Sequence, residues 1–277
     1  MDVAVTGSEF RAAASPILTS AILHVLDRVP DFHYNKTLRA LFAERGGVVE
    51  GLDAGSDAAP FQMLAGCSSI NVGFGGPPYP HHSCYDTLEW MEKSVDFDYY
   101  DYHQILARAI TLLILELADS EILSFDLQAY AYAISHEIGR LEEETQSVHY
   151  LNYSALHLAA EELAENAEQF EEWSSLWHNT GYESGSTFES RATTAKRISY
   201  NTRMANFETN LLDIDGGLPG REQFKHVFLA PSKNDRYQTS YFPFIRDAVE
   251  TFDWELASKK IQVTAAKISY AAKKLMH

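Results

Sequence analysis

A chain of 277 residues, 45% hydrophobic and 22% charged, has ordinary globular composition and is long enough for one large domain or two smaller ones. That excludes a disordered segment, a collagen-like repeat and a small disulfide-stapled scaffold. A formal net charge of −17, from 39 acidic against 22 basic residues, argues against nucleic acid as a partner, because neutralising phosphates takes clustered Lys and Arg.

The opening segment, 1–5, lacks the basic start of a signal peptide and reads as the middle of a strand. Ser15-Pro16 begins a helix, serine at the cap and proline in the first turn, with Ile17, Leu18, Ala21, Ile22, Val25 and Leu26 on one face and an end near Arg28. A short helix over 36–44 stops at Gly46-Gly47, and Gly55-Ser56-Asp57 opens a third through Pro60, Phe61 and Leu64. Residues 68–74 alternate as a strand does, whereas 75–82 is a loop, since Pro77, Pro78 and Pro80 remove donors and fix φ. Helical spacing over 98–118 predicts a mostly buried helix. Its apolar run, 107–118, is interrupted by Arg108 and Glu116 and is too short to cross a bilayer, so no membrane span is expected.

The character of the chain changes near residue 120. Beyond it, helical patterns cover 126–145, with Asp126 as cap, then 153–177, 187–212 and 254–275, with irregular segments at 216–220 and 230–232. The expectation is an α/β part over 1–119 and an all-α bundle over 120–277. Glu142-Glu143-Glu144 and Glu161-Glu162 read as solvated helix faces. Cys67 and Cys84 fit no zinc knuckle or redox pair; they are assigned a packing role, with one mutual disulfide as the alternative.

Three features carry chemistry. In the proline-stiffened stretch 79–87, a histidine beside Asp86 suits a metal ligand with a carboxylate orienting its ring; the plainer reading has His81, His82 and Asp86 capping the next helix. Gly55-Ser56-Asp57 is a helix N-cap that also favours anions. Arg236-Tyr237 could clamp a carboxylate, by a bidentate fork and a hydroxyl, or be surface decoration. No H-E-x-x-H, P-loop or G-x-S-x-G is present.

The series Gly55-Ser56-Asp57-Ala58-Ala59-Pro60-Phe61, Gly66-Cys67-Ser68-Ser69, Tyr79-Pro80-His81-His82-Ser83-Cys84-Tyr85-Asp86-Thr87, Phe125-Asp126, Gly217-Leu218-Pro219-Gly220, His226-Val227, Ala230-Pro231-Ser232, Arg236-Tyr237 and Phe242-Pro243 resembles, in order and spacing, the C-terminal part of glutamate carboxypeptidase II and its relatives, the transferrin receptor and fungal vacuolar-sorting homologues among them. The resemblance implies the back half of a three-layer α/β/α zinc-peptidase domain followed by a helical dimerisation domain. In such exopeptidases two zinc ions activate a water for attack on the peptide carbonyl, and a Glu is the general base. It implies Asp2 and His82 as zinc ligands, Gly55, Ser56 and His81 along the peptide substrate, and Arg236 and Tyr237 at its terminal carboxylate.

The departures shape the expectation. The remaining ligands and the base precede the position of Asp2 in such proteins, so the isolated chain, half of a two-zinc site, is expected to be inactive. Asn71 and Gly73 stand where an arginine patch selects acidic substrates, His81 replaces a Tyr, and Arg236 replaces a Lys. The competing reading is a non-catalytic dimerisation or sorting protein like the transferrin receptor. Either way a homodimer through the helical part is expected. Relatives carry an N-terminal membrane anchor, and the sequons at Asn35 and Asn152 would suit a lumenal domain.

Overall fold

The computed structural model describes residues 3–52, 55–77, 79–97, 99–146, 151–183, 190–235 and 237–277, with the side chains of 178–183 left aside. Strand β1 (Glu9–Ala14) pairs antiparallel with β2 (Ile70–Gly75), Glu9 opposite Gly75 and Ala14 opposite Ile70. Single parallel bridges extend this ribbon on both sides, Val5 to Phe74 and Glu50 to Ala13. The 1–5 segment was expected in a strand; residues 1–2 lie outside the described residues, and Val5 sits at the edge of the sheet. Strand β1 has little sequence signal because it ends in three alanines, which are poor strand formers. Burial alternates along it, with Phe10, Ala12 and Ala14 inside, and Phe10 meets Phe42 and Phe74 edge to face at 5.7 and 5.5 Å.

Helix α1 (Thr19–Arg28) follows a 3₁₀ turn at Pro16–Leu18 and buries Ala21, Ile22, Val25 and Leu26, the face its spacing predicts. Helix α2 (Leu38–Glu44) is capped by Thr37, whose hydroxyl oxygen accepts from the Ala40 N–H at 3.2 Å. Pro60–Leu64 forms a wide π-helical turn, α3 (Leu88–Ser94) buries no residue, and α4 (Asp101–Asp119) packs on α1 and β2. The expectation of a mostly buried α4 holds for Ile105, Leu106, Ala109 and Leu113, while Ile114 and Leu115 are more than half exposed.

Asp126 caps α5 (Leu127–Glu144) as its position predicts, accepting from the Ala129 N–H at 2.7 Å. Helix α6 (Ser154–Glu183) lies along α5 and α9 (Trp254–Met276), and α7 (Arg191–Ala205) crosses near them. A short hairpin of β3 (Leu229–Pro231) and β4 (Thr239–Tyr241) leads into α8 (Pro243–Glu250). Helix α8 starts on Pro243 after Phe242, held in the left-handed region at φ 49°. The 243–250 stretch is missing from the sequence reading because it is only two turns long.

One continuous hydrophobic core includes residues from both sides of position 120. Its aromatic centre joins Tyr130 to Phe207 (4.9 Å between centroids) and Phe228 (5.5 Å), and Phe228 to Phe242 (5.2 Å). Burying side chains of this size contributes about 1.5–3 kcal/mol each, a share the aromatic cluster repeats several times. Burial, and then the nearby Glu208 charge, hold the Tyr130 phenol well above its ordinary pKa.

Two side-chain expectations are corrected. Cys67 and Cys84 are both exposed and free, so neither packs nor pairs. The acidic runs are not wholly solvated: Glu142 meets His157 at 2.8 Å, Glu144 binds Arg246, and Glu162 accepts from Ser269 and pairs with Lys273 at 3.6 Å, tying helices together.

Candidate functional site

The loop that follows β2 is closed by its own side chains. The Tyr79 hydroxyl donates to Asp86, and the Tyr79 ring stands edge-on to Trp90 at 5.0 Å. Inside that clamp the His81 N–H donates to the Tyr79 carbonyl (2.8 Å), and the Ser83 hydroxyl donates to the Pro80 carbonyl (2.8 Å) and accepts from the Tyr85 N–H (3.2 Å). His81 and His82 are exposed, with ring centroids 3.9 Å apart. His82 sits at φ 59°, in the left-handed region that non-glycine residues adopt uncommonly. Capping of the next helix falls to Thr87, which accepts from the Trp90 N–H at 3.2 Å, so His81, His82 and Asp86 do not cap it.

The Tyr79–Asp86 bond has a measurable signature. Asp86 accepts a hydrogen bond from the neutral phenol, and this, with partial burial and the repulsion Asp86 would exert on a phenolate, pushes the Tyr79 pKa up to about 12. The neutral phenol is the donor, so the clamp persists below that value and is lost as pH rises through it. Asp86→Asn should return Tyr79 toward the ordinary value near 10, read by ¹³Cζ-tyrosine NMR; an unmoved titration would show that Asp86 is not the cause.

The other expected residues fall in two places. Ser56, beside Gly55, is buried and its hydroxyl oxygen accepts from the Ala58 N–H at 3.2 Å, a local turn bond and not the expected helix cap, since the Pro60–Leu64 turn has Ala59 at its N-cap and no side-chain cap bond. Tyr237 is exposed in the loop joining β3 and β4, its N–H donating to Asp235 at 2.9 Å. Thr239 of that hairpin donates to the Leu52 carbonyl at 2.9 Å, and Gly51 lies so close to Tyr241 and Thr239 that a Cβ there would meet the Tyr241 oxygen at 2.7 Å. The hairpin is therefore docked on the segment that leads to Gly55 and Ser56. The histidine loop leaves the sheet at its Glu9–Gly75 end, while the Glu50 segment joins β1 near Ala14, some 17 Å away along a six-residue strand. Asp2 and Arg236 lie outside the described residues.

A third group was not foreseen. Glu208 is wholly buried and accepts from Ser15 Oγ, Gln62 Nε2, Ser68 Oγ (3.0 Å) and His226 Nε2 (3.1 Å). His226 Nδ1 accepts from the Phe228 and Leu229 N–H groups at 3.2 and 3.1 Å, which assigns the ring as neutral with its proton on Nε2. Gln62 Oε1 accepts from the Ser69 N–H at 3.0 Å. One buried negative charge thus gathers four donors from the sheet part and the helical part. Ser15 and His226 were singled out in the sequence, as cap and as motif residue, but Ser15 makes no cap hydrogen bond. Nothing in Glu208-Thr209-Asn210 marks a buried carboxylate before the fold is known.

No expected site residue lines a cleft of about 1310 Å³ between α1, the 119–129 segment, α6 and α7. Burial, and then Asp126, raise the Glu171 carboxyl there above its ordinary pKa. Among the described residues no group of three or more His, Cys, Asp or Glu is placed to hold a metal, and no helix is long and apolar enough to cross a membrane.

Residues 151–276 match the transferrin receptor-like dimerisation domain. That stretch contains α6 to α9 and the β3–β4 hairpin, so the helical C-terminal part is a domain of this class. Over 258 residues the chain is 29% identical to the probable glutamate carboxypeptidase AMP1 of Arabidopsis thaliana, covering 90% of this chain and 34% of that protein. It is 28% identical to the probable glutamate carboxypeptidase LAMP1 of the same plant, over 98% of this chain and 39% of that protein. It is 27% identical to the inactive zinc metalloprotease C354.09c of Schizosaccharomyces pombe, over 98% of this chain and 33% of that protein. The chain therefore carries a transferrin receptor-like dimerisation domain over 151–276 and is similar, over most of its length, to proteins named as probable glutamate carboxypeptidases. It spans about a third of the length of these curated relatives.

Proposed function

We propose that this chain is the C-terminal portion of a glutamate carboxypeptidase-type zinc exopeptidase, residues 1–119 forming the back of the peptidase domain and 120–277 the helical domain through which two copies pair. The observation that carries this reading is His82, held at φ 59° in a loop clamped by Tyr79 and Asp86, since strain of that kind is retained where it orients a working group. Asp2 and His82 are the zinc ligands this chain contributes. The docking of the β3–β4 hairpin on Gly51 and Leu52 supports Gly55, Ser56, Arg236 and Tyr237 as the peptide-binding residues, with His81 beside the ligand. The described residues do not by themselves fit a two-zinc centre, and no catalytic step is assigned to them.

The experiment is direct. The purified chain, supplied with zinc, should not hydrolyse dipeptides. Zinc-dependent hydrolysis abolished by His82→Ala would overturn the assignment of the chain as half a site. A second reading, a non-catalytic dimerisation or sorting protein, draws on the 27% identity to a relative named as an inactive zinc metalloprotease. The two readings part on metal: a protein that has given up catalysis has no need of His82, and its full-length form should bind no zinc by metal analysis.

A further inference from the structure

Four large apolar side chains stand out in solvent within one short stretch: Tyr85, Leu88, Phe97 and Tyr99 are each more than two-thirds exposed. A single exposed apolar residue needs no explanation, but a cluster of them marks an interaction surface. This one starts at the histidine loop. Tyr85 is three residues from His82, so the chain can hold the two no more than about 11 Å apart. Leu88 then opens α3, which buries no residue and is joined to the loop through the Trp90 and Tyr79 rings.

The far end of the strip is fastened to its near end. Leu88 and Glu92 are one turn apart on the same face of α3, and the Tyr100 hydroxyl donates to Glu92 at 2.7 Å, which draws the Tyr99-Tyr100 turn alongside. Both tyrosines lie in the left-handed region, at φ 60° and 59°. Gln104 closes their turn, its side-chain amide donating to the Tyr99 carbonyl at 2.7 Å and its N–H to the Tyr100 carbonyl at 2.9 Å. The Tyr100 ring stands edge-on to His103 at 5.4 Å, whereas the Tyr99 ring is left outside, 88% exposed on a fixed backbone.

Charge decides which side chains suit this strip. From 79 to 103 the sequence has one lysine, Lys93, and no arginine, and that lysine pairs with Glu89. The strip is thus edged by the carboxylates of Asp86, Glu89 and Glu92, which repel a further acidic group. Strand β2, which leads into the loop, supplies no cation at Gly73 either: a Cβ there would stand 2.8 Å from the Ala4 carbonyl oxygen. The direction of a bound peptide follows from the residues proposed for its terminal carboxylate. Arg236 and Tyr237 belong to the hairpin docked on Leu52, toward the Ala14 end of the ribbon, while the strip continues from the loop at the Gly75 end. It therefore meets residues on the amino side of the bond to be cut.

We propose that Tyr85, Leu88 and Tyr99 form a substrate-binding strip that takes an apolar or aromatic residue on the amino side of the scissile bond and disfavours an acidic one. This rests on the zinc exopeptidase reading above and adds the class of peptide that it cleaves.

Hydrolysis of N-acetyl dipeptides by the full-length form tests it, with Phe, Leu, Ala, Lys or Glu on the amino side and Glu or Leu at the carboxyl end. For a given carboxyl-terminal residue, kcat/KM should be at least about tenfold higher for the Phe and Leu peptides than for the Glu and Lys peptides. Leu88→Ser and Tyr99→Ser should each lower the Phe-over-Ala ratio several-fold through KM, since apolar contact made equally in the bound and transition states is lost. Circular dichroism should not change, because both side chains are exposed. Equal or higher values for the Glu or Lys peptides, or a Phe-over-Ala ratio that neither variant moves, would overturn the strip while leaving the exopeptidase reading in place. No zinc-dependent hydrolysis of any member would remove that reading, and the strip with it.

Discussion

Glu208→Ala should cost the chain about 3–5 kcal/mol, the loss found when one partner of a buried ionic or hydrogen-bonded group is removed, and against a total of roughly 5–15 kcal/mol for a folded chain that is a large fraction. The cause is not a missing attraction alone. Ser15, Gln62, Ser68 and His226 all donate to this one carboxylate, and the three buried donors, Ser15, Gln62 and His226, would each keep a polar hydrogen inside the core with no acceptor. Glu208→Gln separates charge from shape. It keeps one oxygen for two of the donors and turns the other into a donor facing donors, so about 1–3 kcal/mol is expected. Urea unfolding followed by circular dichroism measures both, and the glutamine variant still reports if the alanine variant does not fold. An alanine variant within about 1 kcal/mol of the unsubstituted chain would mean that water or rearrangement satisfies those donors, and the seam between sheet and helices would have to be held by the aromatic cluster alone.

How much of this was legible beforehand depended on distance along the chain. The caps at Thr37 and Asp126 and the apolar face of α1 obey spacing rules that act within a turn or two, and those elements stand close to where their sequences place them. Strand β1 and helix α8 were missed because their signals are weak over six and eight residues: three alanines in one, a single proline start in the other. Ser15 shows the limit most clearly. Its position predicts a cap, yet its hydroxyl reaches a carboxylate 193 residues away. Long-range satisfaction of a buried charge overrides the local preference, and a local rule has no means of seeing it. The site divides the same way. The proline-rich loop around His82 was visible as rigid, but its clamp, Tyr79 to Asp86, and the left-handed backbone at His82 emerge only from the folded loop.

Gly66→Ala should be nearly as damaging as losing Glu208, and for a reason that reaches the same seam. Gly66 sits at φ 65°, and a Cβ built there would stand 2.6 Å from the Thr209 Cα and 2.9 Å from the Glu208 carbonyl oxygen. Those are backbone atoms of the opposing segment, so no side-chain rotation relieves the clash. The left-handed conformation costs a non-glycine residue about 1–2 kcal/mol and overpacking adds about 1–3 kcal/mol. Gly220 supplies the control: at φ 75° with nothing within 4 Å of a built Cβ, Gly220→Ala should show the conformational cost alone. The difference between the two alanine variants isolates the close approach of 66 to 208–209. Because that approach carries Ser68 and Gln62 to the buried carboxylate, Gly66→Ala and Glu208→Gln disrupt one structure. Their combined effect should fall short of the sum by about 0.5–3 kcal/mol, the coupling seen for residues in one network. Strict additivity in that cycle would mean the glycine contact and the carboxylate act as separate fastenings.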